Sequence, residues 1–97
     1  MTNQQYTVRA NKGRARIWIE GAQLSAAGFT HHATYNVTSA NSATILSLAP
    51  DGKRKVSGAP ARPIIDLCGK SCAPFETGDD VEITYQQGTI VIERVSK

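Results

Sequence analysis

The segment Arg16–Leu48 constrains the fold more than any other part of the chain. Apolar and polar residues alternate over Ala15–Glu20, which predicts a half-buried strand. After a break at glycine, Ala22–Ala27 supplies good helix formers for about one and a half turns. Gly28 follows where the end of a helix needs a positive φ. Two more strands are predicted at Tyr35–Ser39 and Thr44–Leu48. The unit therefore reads strand, short helix, strand, strand.

The same order of features recurs after Ile64. With two gaps, the alignment places Gly69 on Gly21, Phe75 on Phe29, and Thr89-Ile90-Val91 on Thr44-Ile45-Leu46. Pro74 excludes a long helix in this second copy. The recurrence predicts an internal duplication of two βαββ-like units, the second of them degenerate.

The remaining segments complete a single domain of residues 1–97. The first unit spans residues 15–48 and the second spans residues 64–97. Residues 49–63 are basic and rich in proline and glycine, which is typical of a linker. Residues 1–14 form either a basic arm or an N-terminal hairpin, with residues 1–5 expected to be disordered.

A family resemblance rests on Tyr6-Thr7-Val8, Ile17–Gly21, Leu24 and Ala26-Ala27-Gly28-Phe29-Thr30, followed by the predicted strand pair. Over roughly residues 6–48 these features resemble the SymE-type toxin family. That family is similar in fold to the AbrB/MazE swapped-hairpin DNA-binding proteins, in which two βαββ units interleave into one small β-barrel. The resemblance implies a mainly β chain with one short helix, folded as such a barrel from two tandem units, a pseudo-dimer. His31-His32 depart from the family, which usually has Pro-Gly or a similar turn there.

Composition indicates a folded protein, with 40% hydrophobic and 20% charged residues among 97. No apolar run approaches the roughly 18–20 residues that a membrane-spanning helix needs. The polar N-terminus MTNQQ is unlike a signal peptide. We therefore expect a cytoplasmic protein that does not enter the membrane.

Charge is divided unevenly along the chain. Residues 1–62 carry eight basic and two acidic side chains, or +6, whereas residues 63–97 carry three basic and six acidic ones, or −3. A concentrated positive charge predicts binding to phosphates of DNA or RNA. The predicted nucleic-acid-binding residues are Arg9, Lys12, Arg14, Arg16, Lys53, Arg54, Lys55 and Arg62. We expect them to share one side of the barrel.

Two further features bear on binding. Trp18 lies among the arginines and could stack on an unpaired base, but a lone tryptophan in a small β-rich domain more often buries its ring. The acidic residues of the second half are expected to face away from the basic surface and to be available to a protein partner. This set is Glu76, Asp79, Asp80 and Glu82.

Catalytic and metal-binding signals are weak. His31 and His32 are the only candidates for general acid–base catalysis, as in a ribonuclease, but adjacent residues seldom converge on one phosphate. Cys68 and Cys72 have a spacing that is atypical of zinc sites, and no second cysteine pair accompanies them. We predict no metal site and no cofactor.

Three functions remain open from the sequence. The first is a nucleic-acid-binding SymE-like toxin or regulator that acts through its basic surface. The second is an RNA-cleaving toxin, the activity that the resemblance commonly implies. The third is a small phage or defence protein that acts by binding a partner protein. The sequence leaves open whether two copies pair as a homodimer.

Overall fold

The computed structural model describes residues 2–40, 43–72 and 75–95, so Pro74 lies outside the described residues. In chain order the strands are β1 (Thr2–Thr7), β2 (Arg9–Asn11), β3 (Arg14–Glu20), β4 (Thr34–Ala40), β5 (Ala43–Leu48), β6 (Arg54–Lys55), β7 (Ser57–Ala59), β8 (Arg62–Cys68), β9 (Asp80–Gln86) and β10 (Thr89–Arg94). The helix α1 is Ala22–Ala26, and a 3-10 helix spans Gly69–Cys72. The prediction of a mainly β chain with one short helix is confirmed.

The strands form two open antiparallel sheets. The large sheet has six strands in the order β1-β9-β10-β5-β4-β6, and the small sheet has four in the order β2-β3-β8-β7. Within the described residues, the two sheets do not close into the barrel that the resemblance implied.

Alternation along the strands produces the core between the sheets. In β3, for example, Ile17 and Ile19 are buried while Arg16 and Trp18 are only partly covered, as a period of two requires. The buried core residues are Val8, Ile17, Ile19, Leu24, Ala27, Phe29, Tyr35, Leu46, Val56, Ile65, Leu67, Cys72, Phe75, Val81, Ile83, Tyr85, Ile90 and Ile92. Burying these side chains is the main stabilising contribution to the fold.

Helix α1 ends as the sequence predicts. Gly28 has φ 92°, and its N–H donates to the carbonyl of Ser25, while the N–H of Phe29 donates to the carbonyl of Leu24 at 2.8 Å. This pair of bonds is the Schellman arrangement, which needs a residue tolerant of positive φ. It turns the chain so that Phe29 enters the core, fully buried.

The N-terminal segment passes from one sheet to the other. β1 pairs with β9 in the large sheet, and after the buried Val8 the chain continues as β2 beside β3 in the small sheet. The prediction that residues 1–5 are disordered is therefore wrong for Thr2 onward, because β1 runs along β9 from Thr2 to Thr7.

The segment 49–63, expected to be a linker, repeats this crossing in a shorter form. β6 pairs with β4 in the large sheet, and after the buried Val56 the chain continues as β7 beside β8. The segment therefore contains two strands and the start of a third. The two crossings supply equivalent edge strands. β1 and β6 are the edges of the large sheet, and β2 and β7 are the edges of the small one.

Strand registers define which residues correspond in the two halves. Arg9 pairs with Arg16, and Ser57 pairs with Ile64, each 48 positions further along the chain. Backbone bonds follow the same relation: the N–H of Val8 donates to the carbonyl of Asp79, and that of Val56 to the carbonyl of Ala33.

The hairpins correspond with a slightly different offset. Ala40 pairs with Ala43, and Gln86 pairs with Thr89, each 46 positions further along. The buried residues Thr44 and Leu46 therefore correspond to the buried Ile90 and Ile92. The predicted alignment of Thr44-Ile45-Leu46 with Thr89-Ile90-Val91 is wrong by one residue, because it would place inward-facing positions on outward-facing ones.

Candidate nucleic-acid interface

Three predicted phosphate-binding residues meet at the β2–β3 hairpin. Lys12 and Gly13 form its two-residue turn with φ 54° and 79°, as a type I′ turn requires. Arg9, Lys12 and Arg14, called here the hairpin cluster, are exposed. Within the described residues none of the three forms an ion pair. Their charge is therefore available to an external anion.

Arg16 has a different role. Its Nε and Nη2 donate to the two carboxylate oxygens of Asp66, each at 3.0 Å, and its guanidinium lies 4.6 Å from the centre of the Trp18 ring. The hydrogen bond to Asp66 raises the pKa of Arg16 above its ordinary value. Arg16 pairs with Arg9 across the strands, so its neutralisation by Asp66 also reduces a like-charge repulsion. We therefore expect Arg16 to fix the ring and not to bind phosphate.

Two other predicted cations are bound internally. Arg54 is half-buried, and its Nη2 donates to the backbone carbonyl of Asp66 at 3.3 Å. Arg62 is exposed, with its Nε 3.1 Å from a carboxylate oxygen of Glu20. Such an exposed pair is weak, but it reduces the charge that Arg62 presents to a ligand.

Lys53 and Lys55 are exposed but stand apart from the hairpin cluster. They lie on and beside β6, which is the edge of the large sheet next to β4. The hairpin cluster lies at the edge formed by β2, where the chain arrives from β1 at the opposite end of the large sheet. Strand order thus separates Lys53 and Lys55 from the hairpin cluster, although Arg16 and Arg54, one from each predicted group, both contact Asp66.

A groove opens beside the hairpin cluster where the chain passes from β1 of the large sheet to β2 of the small sheet. We call it the corner groove; its volume is about 670 Å³, and it is lined by Gln4, Tyr6, Arg9, Arg16, Trp18 and Glu20. The backbone N–H of Trp18 donates to the hydroxyl oxygen of Tyr6 at 3.0 Å. This bond satisfies a strand N–H that loses its neighbour where the chain turns away at Val8. The groove therefore has one fixed aromatic wall.

Sequence reasoning missed several of these residues. Gln4 and Tyr6 come from the segment that was expected to be an arm or hairpin, and Asp66 was counted only as part of the acidic half. The alternation of Arg16 with Trp18 did place those two side chains on one face, as observed.

The histidine pair is not arranged for catalysis. The rings of His31 and His32 stack on each other, with centroids 3.7 Å apart and planes at 29°. Two rings that face each other cannot flank one phosphate as acid and base, which removes the geometric support for a ribonuclease site here. His32 has φ 72° and occupies a turn.

The predicted acidic set is bound mainly within the large sheet and its preceding turn. Thr7 donates to Asp80 at 2.8 Å, Arg94 pairs with Asp79 at 3.0 Å, and Asn3 and Gln5 lie within 3.4 Å of Glu82. These carboxylates line the β1–β9 side, and the backbone of Gly78 and Asp79 bonds to Val8, the residue before Arg9. The acidic turn therefore lies beside the corner that carries the hairpin cluster and not opposite it.

Cysteines and metal ligands give no further site among the described residues. Cys68 and Cys72 are free thiols. No group of three or more histidine, cysteine, aspartate or glutamate side chains in these ranges could hold a metal ion. The described helices include none long and apolar enough to cross a membrane.

The comparisons with known proteins add no relative. No family model, curated protein or solved structure matches this chain.

Proposed function

We propose that this chain is a nucleic-acid-binding SymE-like toxin or regulator of the cytoplasm, which contacts phosphates of DNA or RNA through the hairpin cluster. The observation that carries the proposal is the contrast between its cations. Arg16 and Arg62 are matched with carboxylates, whereas Arg9, Lys12 and Arg14 project from one tight hairpin and form no ion pair among the described residues. Exposed cations held close together are the usual footprint of phosphate binding.

We further propose that the fold is a swapped-hairpin pseudo-dimer built from two tandem units. Here the first half is residues 2–48 and the second half is residues 49–95. The exchange of strands supports this proposal: β1 of the first half pairs with β9 of the second, and β6 of the second half pairs with β4 of the first. The halves also meet through β3 with β8 and β5 with β10. Interleaved pairing of this kind is the arrangement that the SymE and AbrB/MazE resemblance implies.

Salt-dependent binding tests the nucleic-acid proposal. If the three cations contact three phosphates, the logarithm of the affinity for duplex DNA should fall with the logarithm of salt at a slope of about −2.7. Replacing Arg9, Lys12 and Arg14 together with glutamine should weaken binding to all sequences and flatten this slope. Fluorescence anisotropy with labelled DNA and RNA at several salt concentrations gives both quantities.

The matched control is the pair Lys53→Gln and Lys55→Gln at the opposite edge. Both of its cations are exposed. A general charge effect would therefore weaken binding in both variants, in proportion to the two and three charges removed, whereas a local contact would weaken it only in the hairpin variant. Unchanged affinity in a folded hairpin variant would overturn the proposal. Incubation of the same labelled RNA also detects cleavage, the activity for which the stacked histidines give no support.

A protein-binding module is the second candidate, favoured by the edge of β4. β6 covers only Thr34 and Tyr35 of β4, whereas β1 covers six residues of β9. At Val37 and Thr38 no strand of the described chain lies on the side away from β5. Such an edge accepts an extended strand of a partner or of a second copy. A dimeric mass in light scattering that is insensitive to the hairpin variant would favour this candidate.

A further inference from the structure

We infer that the corner groove binds an unpaired nucleotide, so that the protein prefers single-stranded to duplex nucleic acid. This inference rests on the proposed function and adds what the bases, as distinct from the phosphates, would contact. It depends on how four groups converge beside β3: an aromatic ring, a guanidinium over that ring, a second aromatic ring and an exposed cation.

The first part of the site is a stacking surface. The Arg16 guanidinium lies 4.6 Å from the centre of the Trp18 ring and is fixed in the plane set by its two bonds to Asp66. The Arg16 side chain is 29% exposed, so it is not covered by the protein on every side. Flat guanidinium groups and aromatic rings are the surfaces on which unpaired bases stack. The bonds to Asp66 are present before a ligand arrives, so little ordering of Arg16 is needed on binding.

The second part is a set of polar groups within reach of a stacked base. Gln4 accepts a hydrogen bond from Tyr85 through Oε1 at 2.6 Å, which fixes its amide and leaves its NH₂ as a donor. Glu20 lines the same groove, with Arg62 lying 3.1 and 3.4 Å from its two carboxylate oxygens, each of which can accept a further hydrogen bond. Donors and acceptors of this kind bind the edge of a base that is not engaged in pairing.

The third part is the phosphate contact. Arg9 lines the groove and is exposed, and among the described residues it forms no ion pair. Lys12 and Arg14 continue the positive charge along the hairpin and away from the groove. A strand whose base stacks at Arg16 and Trp18 would therefore carry its backbone along the hairpin cluster. A base pair in a duplex cannot reach the groove, because its faces are covered by neighbouring pairs.

The groove provides its own spectroscopic probe, because Trp18 is the only tryptophan in the chain. We expect oligo-dT and oligo-U of about 12 nucleotides to change Trp18 fluorescence on binding, at a length within the usual footprint of single-strand binders. A duplex of the same length should bind more weakly and leave the fluorescence nearly unchanged. Arg9→Gln should reduce affinity for the single strands more than Lys12→Gln, the matched control outside the groove.

A second variant removes the stacking surface. Trp18→Leu should reduce single-strand affinity by roughly 5- to 100-fold, the usual range for one stacked base, while duplex affinity changes little. Circular dichroism checks its fold, and if this variant does not fold, the Arg9 and Lys12 titrations decide alone. Equal affinity for single strands and duplex without a fluorescence change would overturn the inference and leave the proposed function intact. Absence of binding to every nucleic acid would overturn both.

Discussion

The two corners where the chain crosses between the sheets share a backbone and differ in their side chains. At each corner a buried valine, Val8 or Val56, exchanges backbone hydrogen bonds with a turn in the other half. The residue two positions earlier then reaches a main-chain group: Tyr6 accepts from the N–H of Trp18, and Arg54 donates to the carbonyl of Asp66. The valine and its backbone bonds are thus the part that the fold requires.

The two corners differ in the side chains around the valine and its backbone bonds. The first corner presents Tyr6, Arg9 and Trp18, and the corresponding positions of the second corner are Arg54, Ser57 and Asp66. Only the first corner therefore has aromatic rings beside an exposed arginine. The comparison teaches that the frame tolerates either set, so the aromatic and basic residues of the first corner are not explained by folding alone.

The largest expected effect tests whether the two halves contribute equally to the core. Phe29→Ala and Phe75→Ala should each lower the free energy of unfolding by about 3–5 kcal/mol, because both rings are buried and each leaves a cavity. Each ring also has one specific contact: Phe29 meets the edge of Tyr35 with ring centroids 5.9 Å apart, and the Arg94 guanidinium lies 5.9 Å from the centre of Phe75. The two losses should therefore be similar. Urea unfolding measures both values, and a cost below 1 kcal/mol for either variant would contradict the correspondence of the two positions.

The next effect concerns Gly58 and its counterpart Ala10. Gly58 has φ 89°, and a Cβ there would lie 2.3 Å from the carbonyl oxygen of Arg62. Gly58→Ala should therefore lower stability by at least about 2 kcal/mol, through backbone strain and the clash. Ala10→Gly, the matched change, should cost only about 0.5–1 kcal/mol of chain entropy. Thermal unfolding ranks the two, and equal costs would show that the strands β2 and β7 are not under different constraints.

A feature of this fold can be predicted from the sequence when residues close together in the chain determine it. Alternation predicts β3 and the two hairpins, and Gly28 marks the end of α1, because neighbouring residues decide these features. β1 is missed since its early residues are polar and it becomes a strand only by pairing with β9. The local sequence of β1 carries no information about its pairing partner, β9.

The candidate site shows the same limit. Exposure of Arg9, Lys12 and Arg14 follows from a tight hairpin and could be predicted. The neutralisation of Arg16 could not, because Asp66 lies 50 positions away and reaches it only through the pairing of β3 with β8. The placement of Lys53 and Lys55 at the opposite edge likewise depends on strand order.

Unfolding at alkaline pH tests a third difference between the halves, because the buried ionisable groups Cys72 and Tyr85 both lie in the second half. Burial raises the pKa of Cys72 to about 11 and that of Tyr85 to about 12, from ordinary values of 9.0 and 10.0. The neutral forms are therefore favoured in the folded state, and their contribution is complete below pH 9 and is lost as the pH rises toward 11 and 12. We expect a loss of about 1–2 kcal/mol from each group.

Cys72→Val sharpens this test, because a buried valine does not ionise, just as the buried Leu24 of α1 does not. The variant should retain more of its own neutral-pH stability than the natural chain does between pH 9 and 11. Tyr85→Phe should act in the same way between pH 10 and 12. Urea midpoints measured across pH 7–12 test both expectations. Equal losses of stability in the natural chain and in both variants would contradict them.

The smallest effect concerns the turn that contains His32. The N–H of His32 donates to the carbonyl of Val56 at 3.1 Å, and in the matching turn the N–H of Gly78 donates to that of Val8 at 2.8 Å. Both residues have positive φ, 72° for His32 and 93° for Gly78, which glycine adopts without strain. His32→Gly should therefore relieve strain, although it also gives more entropy to the unfolded chain and removes the stacking on His31.

From these opposing terms we expect His32→Gly to raise the free energy of unfolding by about 0.5 kcal/mol. Gly78→Ala, in the matching turn, should lower it by about 1 kcal/mol. For a domain of this size the changes correspond to roughly 2–4 °C upward and 4–8 °C downward in Tm. Calorimetry at pH 7.5 resolves both. A clear destabilisation by His32→Gly would mean that the stacked imidazoles, which have no counterpart at Thr77 and Gly78, contribute more to the first half than the strain of its turn removes.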